Sequence, residues 1–176
     1  KNHFRIKRYI GDCLLNEMDL SDTDSTFEIR FPPKKEYAAS EIVVGSSNSG
    51  KTTYVKNRIL RNLSLKPSER RHFYYFSSEW KEDKTLDELK KDKWRSYVTG
   101  IDIGEEAVEE SQYQTPKEFF ANEIKLRIDA AEKSSVIIFD DPVDAHSGIT
   151  DLIRNLQNRL MRVGRHRGLG LIFITH

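Results

Sequence analysis

The segment GSSNSGKT, residues 45–52, has the residue types and spacing of a loop that binds phosphate groups. It matches the pattern G-x-x-x-x-G-K-[ST] in full, after a short apolar stretch and before a run with helical periodicity. Glycines allow a tight turn whose backbone N–H groups converge on phosphate oxygens, and the following helix directs its positive end at the same anion. In this pattern the Lys51 ammonium reaches the β- and γ-phosphates of a nucleotide, and the Thr52 hydroxyl binds Mg²⁺. We therefore predict ATP and Mg²⁺ as cofactors, with Lys51 acting in catalysis. The other reading is a loop rich in glycine and serine by chance. The predicted cofactor-binding residues are Gly45, Ser46, Ser47, Asn48, Ser49, Gly50, Lys51, Thr52 and Thr53.

Two adjacent carboxylates end the apolar segment VIIFDD, residues 136–141. Ligands of α/β sheets bind at the carboxyl ends of the strands, which is where these acids would lie. We predict that Asp140 holds Mg²⁺ opposite Thr52, and that Asp141 orients and deprotonates an attacking water as a general base. Asp144 and Glu79 are substitutes for these roles. The competing interpretation is that the acidic pair only marks a turn.

A third feature is the basic run near the end of the chain. Four arginines lie within nine residues that contain no acid. Guanidinium suits phosphate because it is always charged and binds in a fork. An arginine that reaches a transferring phosphoryl group stabilises its charge and contributes on the order of 10³–10⁵ in rate. Two other interpretations remain: contact with DNA phosphates, and a solvated helix end favoured by the helix dipole. The four are Arg159, Arg162, Arg165 and Arg167.

The elements around these residues alternate between strand and helix. Short apolar strands are predicted at 41–45, 72–78, 135–141 and 169–175, and those at 41–45 and 135–141 are expected to be buried. Amphipathic helices are predicted at 52–63, 115–132 and 149–163. The charged stretch 79–114 is expected to be solvated surface with a short helix at 85–91 and a short strand within 94–100. This alternation predicts an α/β domain with a mainly parallel sheet flanked by helices. Residues 41–176 would form it, and residues 1–40 would be an N-terminal extension packed on the core.

Composition narrows the class of protein further. A chain of 176 residues suggests one domain. The net charge of +1 gives no general reason to expect nucleic-acid binding, so any basic footprint must be local. The single cysteine, Cys13, rules out an internal disulfide framework and fits a reducing, intracellular compartment. No run approaches the length of an apolar membrane helix, so no membrane partner is expected. Because the chain ends inside a predicted strand, the C-terminal part of the fold is expected beyond residue 176.

The segments GSSNSGKT, VIIFDD and GRHRGLGLIFITH, in this order, resemble the FtsK–HerA superfamily of P-loop ATPases. Within it, they look most like the poxvirus-type genome packaging ATPases of double-stranded DNA viruses. The resemblance covers residues 41–176 except the charged stretch 79–114, and it does not include residues 1–40. The phosphate loop alone is common to very many NTPases, whereas the ordered trio is more specific.

The resemblance implies a RecA-like core and an ATP-hydrolysing motor subunit that translocates double-stranded DNA, in particular during viral genome packaging. It implies a homo-oligomeric ring, double-stranded DNA and a capsid or portal vertex protein as partners. The corresponding location is the virion or the virus assembly site of the host cell. The alternatives are a small-molecule kinase or nucleotide-dependent switch of the P-loop class, and a non-viral DNA-translocating motor of the same superfamily. The acidity of the stretch 81–114 argues against an arginine-rich kinase lid.

The resemblance also assigns roles to two late residues. Arg165 best matches the arginine finger that reaches the neighbouring subunit's ATP, with Arg162 and Arg167 as alternatives. His176 stands where the family has a polar γ-phosphate sensor, usually Gln, and is therefore implied in catalysis. The chain departs from the family in having His at this position. It also has Asp140–Asp141 where many members have Asp-Glu.

Overall fold

A computed structural model describes the backbone of residues 5–10 and 13–19 and, with side chains, residues 40–46 and 48–175. Strands β1 (Arg5–Ile10) and β2 (Cys13–Asp19) pair as an antiparallel hairpin with a register shift between Arg8 and Tyr9. Three expectations concern parts of the chain outside the described residues. They are the packing of residues 1–40 on the core, the place of Ser47 in the loop and the role of His176 as a sensor.

The centre of the fold is a five-stranded sheet in which every pair of neighbouring strands is parallel. The strand order is β3-β7-β6-β4-β5, so β7 lies between β3 and β6, the strand that ends at Asp140. The predicted α/β class with a parallel sheet flanked by helices is confirmed. The strands are β3 (Ser40–Val44), β4 (Phe73–Ser77), β5 (Val98–Asp102), β6 (Val136–Asp140) and β7 (Gly170–Thr175).

Helices cover the two faces of this sheet. Helix α1 (Lys51–Leu63) begins at the loop lysine and buries Val55, Ile59 and Leu63 on one face, as its periodicity predicts. The opposite face is covered by the remaining helices, and alternate residues of each strand point to each face. They are α2 (Glu105–Glu109), α3 (Pro116–Phe119), α4 (Leu126–Ala130) and α5 (Ser147–Val163).

The predicted helix at 115–132 is present but not uniform. Thr115 caps it, since its hydroxyl accepts from the backbone N–H of Glu118 at 3.2 Å. Between α3 and α4, however, residues Phe120–Lys125 form a π-helical segment. Phe120 and Ile124 in this segment are buried, so the wider turn still directs apolar side chains at the sheet.

Two other expectations differ from the structure. Strand β3 is not fully buried, because Ile42 and Val44 are 62% and 66% exposed. It is an edge strand of the sheet, and the helices on that face pack against the strands further in. The stretch 79–114 is not only solvated surface, since Leu86 and Leu89 are buried beside α1. Its expected helix at 85–91 is a short 3₁₀ turn, Lys84–Leu86.

The other 3₁₀ turns are Pro67–Glu69, Asp92–Trp94 and Pro142–Asp144. Among the described residues, none of the helices combines the length and apolar character that a membrane span requires.

Parallel pairing brings the carboxyl ends of the strands to one edge. Ser77 of β4 lies in register with Asp140 of β6 on one side and with Asp102 of β5 on the other. Val44 of β3 lies in register with Thr175 of β7. The loop after β3 and the acidic pair after β6 therefore leave the sheet on the same side.

Candidate functional site

The loop between β3 and α1 depends on its two glycines. Gly50 has φ 88°, and Asn48 also lies in the left-handed region with φ 60°. A Cβ at Gly45 would stand 2.6 Å from the Ser49 hydroxyl, so a side chain there would displace Ser49. The backbone N–H of Ser49 donates to the carbonyl of Ser46 at 3.2 Å, which closes a tight turn. The loop therefore has the compact geometry that the sequence pattern predicts.

Helix α1 presents its N-terminus at this loop. Its cap residue Gly50 provides no side-chain hydrogen bond, and its first turn contains no acidic residue. The positive end of the dipole is therefore not balanced by a carboxylate of the helix itself. The helix is held to β3 by a bidentate ion pair in which both guanidinium nitrogens of Arg58 contact the Glu41 carboxylate. Since Arg58 is buried, this pair fixes the helix and strand on either side of the loop.

Lys51 is folded back onto the loop. Its ammonium donates to the carbonyls of Gly45 at 2.8 Å and of Ser46 at 3.1 Å. The side chain is buried apart from a small part of its surface. A long cationic chain is thus ordered inside the turn.

Asp140 ends β6 with its carboxylate buried at the edge of the pocket. Its Oδ2 accepts hydrogen bonds from the Tyr75 hydroxyl at 2.6 Å and from the Thr52 hydroxyl at 3.4 Å. Thr52 and Asp140 are 88 positions apart in the chain, and their predicted proximity is observed. Because burial disfavours the charged form, the pKa of Asp140 rises from its usual 3.8 to about 6. The Tyr75 hydrogen bond opposes that rise, and the charge of Asp141 adds to it.

Tyr75 responds to the same environment. Burial and the adjacent negative charge of Asp140 raise the pKa of its hydroxyl well above the usual value of 10.0. The hydroxyl therefore stays protonated and donates to the carboxylate.

Asp141 follows in a left-handed conformation with φ 43°. Asp tolerates this region better than most residues because its short polar side chain makes local hydrogen bonds. Its backbone N–H donates to the carbonyl of Ile174 in β7 at 3.1 Å, and the chain then turns into the 3₁₀ helix Pro142–Asp144. Asp141 lines the same pocket as Asp140, as predicted.

Around these residues lies an open, polar pocket of about 550 Å³, within the range of small-molecule sites. Five carboxylates and one lysine are among its lining residues, so the wall is strongly acidic. The predicted substitutes Glu79 and Asp144 are among them, whereas Gly45 and Ser46 are not, and their carbonyls accept hydrogen bonds from Lys51. The lining residues are Asn48, Ser49, Gly50, Lys51, Thr52, Thr53, Ser77, Ser78, Glu79, Asp83, Thr85, Asp140, Asp141 and Asp144.

Five residues of this site were missed from the sequence: Ser77, Ser78, Tyr75, Asp83 and Thr85. Ser77 and Ser78 could have been found, because they stand at the end of a predicted strand, at the edge where ligands bind. Tyr75 gives a weaker signal: a buried tyrosine needs a partner for its hydroxyl, but the sequence does not say which partner. Asp83 and Thr85 come from the charged stretch, and nothing in their spacing indicates that they reach the pocket.

The predicted arginines lie elsewhere. They precede β7, at the amino edge of the sheet, whereas the pocket lies at the carboxyl edge. A six-residue strand separates the two edges by roughly 20 Å. Arg165 and Arg162 are exposed. Arg167 instead donates to the carbonyls of Ile128 and Asp129 at 2.8 and 2.9 Å, which ties it to the end of α4.

A second polar cluster contains Glu105, Glu109 and His146, whose ligand atoms lie within 4.8 Å of one another. His146 Nδ1 accepts from the backbone N–H of Gly148 at 2.9 Å, and Nε2 lies 3.4 Å from Glu105. A metal on Nε2 would require the proton on Nδ1, where a backbone N–H already donates. The geometry fits a cap at the start of α5 better than a metal centre.

Comparison of the chain with protein-family models, with curated proteins and with solved structures finds no match.

Proposed function

We propose that this chain is a Mg²⁺-dependent ATPase domain of the P-loop class with a RecA-like core. The observation that carries the proposal is the proximity of the Thr52 hydroxyl and the Asp140 carboxylate beside a glycine loop that opens a helix. A hydroxyl at the loop and a carboxylate at a neighbouring strand end are what a magnesium nucleotide requires. The contact joins two segments that the sequence singles out separately, the glycine loop and the acidic pair.

The chemistry of the pocket fits Mg²⁺. Thr52 and Asp140 offer hard oxygen ligands, and they are the residues that would hold the cation. With five carboxylates and one lysine on the wall, a bare polyphosphate would be repelled, whereas its magnesium complex carries less negative charge. When bound, Mg²⁺ would supply positive charge that neutralises the charge developing on the phosphate oxygens.

The chain's own residues bind the phosphates, supply positive charge and accept the proton of the attacking water. The N–H groups of the loop and of the first turn of α1 hold the phosphates, and Lys51 supplies positive charge beside them. Asp141 accepts a proton from the attacking water while the water oxygen bonds to the γ-phosphorus and the bond to ADP breaks. The products are ADP and phosphate. Glu79 is the alternative base because it lies on the same pocket wall.

The position of Arg165 supports a contribution from a neighbouring subunit. It is exposed and lies at the sheet edge opposite its own pocket, so it cannot reach the nucleotide of its own chain. Arg162 is similarly exposed, whereas Arg167 is held by α4 and is the weakest candidate. We therefore propose a homo-oligomeric ring in which Arg165 completes the next subunit's site. We also propose His176 as the sensor, because in the sequence it follows β7, which ends at Thr175 at the carboxyl edge of the sheet.

The sequence resemblance extends this proposal to a motor that translocates double-stranded DNA. An ordered trio of phosphate loop, acidic pair and arginine before a strand is typical of FtsK–HerA motors, and here the three segments belong to the adjacent strands β3, β7 and β6. Viral genome packaging, with a capsid or portal vertex protein as partner, is the proposed role. The virion or the viral assembly site is the corresponding location.

The test is ATP hydrolysis measured against protein concentration, with and without double-stranded DNA. The rate per subunit should rise with concentration and with DNA. It should fall by at least 10³-fold in Arg165→Ala, in keeping with the effect of an arginine finger. Mixing Arg165→Ala with Lys51→Ala should restore part of the activity, because each variant supplies what the other lacks.

A rate per subunit that is independent of concentration, together with an active Arg165→Ala variant, would refute the contribution in trans. A phosphorylated acceptor in place of free phosphate would favour the kinase alternative. Hydrolysis without any response to DNA would favour a nucleotide-dependent switch.

A further inference from the structure

Asp140 is held by a residue that the phosphate-loop pattern does not contain. The Tyr75 hydroxyl donates to Asp140 Oδ2 at 2.6 Å, shorter than the 3.4 Å contact of Thr52 with the same oxygen. Both hydroxyls therefore approach Oδ2, which leaves Oδ1 as the carboxylate oxygen with lone pairs for a ligand. A carboxylate with one oxygen fixed cannot rotate freely about its terminal bond.

Tyr75 is itself fixed by aromatic packing. Its ring centroid lies 5.3 Å from that of Trp80, with an angle of 40° between the planes. Trp80 lies directly on the backbone of Gly100 in β5, where a Cβ would stand 1.7 Å from the indole ring. The only residue that fits beneath this ring is glycine, so Trp80 has a defined place above the tyrosine.

The placement of these residues in the fold is specific. Tyr75 and Asp140 lie on neighbouring strands and face the side of the sheet that α1 covers. Tyr74, the preceding residue, faces the opposite side of the sheet and packs against the apolar residues under helices α3 to α5. The chain thus offers two adjacent tyrosines, of which one reaches the acid.

We propose that Tyr75, supported by Trp80, is a positioning residue that orients the Asp140 carboxylate toward the divalent cation of a bound nucleotide. The proposal rests on the proposed function, since it assumes that a magnesium nucleotide occupies the pocket. Tyr75 does not touch the nucleotide. Its effect passes through Asp140, as hydrogen-bonding partners of metal-ligating carboxylates commonly act.

The experiment compares ADP binding with and without Mg²⁺ in the wild type, Tyr75→Phe and Tyr74→Phe. The dissociation constant without Mg²⁺ divided by that with Mg²⁺ measures the contribution of the cation. In Tyr75→Phe this ratio should fall 10–100-fold, the usual effect of losing such a partner, while binding of metal-free ADP stays within about 2-fold. Tyr74→Phe removes a hydroxyl from the same strand and should leave both constants unchanged.

A second readout reports on the site without turnover. Because Trp80 packs on Tyr75, addition of MgADP should change its fluorescence in a Trp94→Phe background. The change should shrink in the Tyr75→Phe variant of that background.

The outcomes separate the two proposals. If the wild type binds ADP with the same affinity in Mg²⁺ and in EDTA, the proposed function fails and the role of Tyr75 fails with it. If Mg²⁺ tightens binding equally in wild type and Tyr75→Phe, the positioning role is refuted and the ATPase proposal stands. If Tyr75→Phe weakens binding of metal-free ADP as much as that of MgADP, Tyr75 is structural only.

Discussion

Asp140 should make the folded protein less stable as the pH rises, and Asp140→Asn should remove that loss. The residue is 5% exposed, and the pKa of its carboxyl in the folded state is about 6 against a usual value of 3.8. Between these two values the folded state binds a proton that the unfolded state has released. The unfolding free energy therefore falls with rising pH across this interval and stays lower above it.

The size of the effect follows from the same two pKa values. A pKa raised from 3.8 to about 6 corresponds to about 3 kcal/mol of unfolding free energy. Because the side chain is almost fully buried, screening by solvent reduces this little. Asn keeps an oxygen that accepts a hydrogen bond from Tyr75. Any change in stability that comes from its altered contacts is the same at every pH, so the pH-dependent part of the difference reports on the carboxyl alone.

The assay is urea unfolding at a series of pH values from about 4 to about 8, without nucleotide or metal, followed by tryptophan fluorescence. The quantity compared is the unfolding free energy of Asp140→Asn minus that of the wild type. From about pH 4, where a small part of the effect is already present, to about pH 8 this difference should grow by about 2.5 kcal/mol. Other groups titrate in both proteins and cancel in the difference.

Asp144→Asn serves as the control, because it removes an exposed carboxylate from the same pocket. Its difference from the wild type should change with pH by much less than that of Asp140→Asn. A difference for Asp140→Asn that varies by less than about 1 kcal/mol over the whole range would contradict the burial of an ionisable carboxyl at this site.

Two further substitutions test the supports of the site. Arg58→Ala leaves Glu41 without its guanidinium partner and should lower the unfolding free energy by about 2 kcal/mol, less than for a fully buried pair because the Glu41 side chain is 29% exposed. Urea unfolding measures this loss, and an unchanged stability would show that the ion pair does not hold α1 to β3. Gly100→Ala places a methyl group 1.7 Å from the Trp80 ring and should cost about 1–3 kcal/mol, with a shift in the tryptophan emission. Wild-type stability and emission in that variant would mean that Trp80 does not lie on this glycine.

The predictable parts of the site are those in which short-range sequence determines the geometry. The loop at 45–52 and the start of α1 follow from glycine placement and helical spacing, which are local properties. The proximity of Thr52 and Asp140 is long-range in sequence, yet it follows from one general rule. Parallel strands place their carboxyl ends at one edge, so residues that end two strands are brought together.

The parts that were not predicted depend on lateral order in the sheet. An apolar run such as that of β3 predicts burial, but its position at the edge is decided by the pairing of other strands. The charge of the stretch 79–114 predicts surface, whereas its Leu86 and Leu89 are buried against α1. A count of charges does not show that a few apolar residues anchor such a segment to the pocket.

The burial of Asp140 connects the stability of the fold with the proposed chemistry. In a poorly solvated place a carboxylate is costly to ionise, but it also attracts a cation more strongly than it would in water. The two hydroxyls on Oδ2 recover part of the lost hydration without adding positive charge that would compete with that cation. A lysine or arginine in place of Tyr75 would lower the cost of ionisation further and would also neutralise the acid. Asp140→Asn is therefore expected to be more stable at neutral pH than the wild type and deficient in binding the magnesium nucleotide. A variant that gained stability and kept its Mg²⁺-dependent affinity would break this connection.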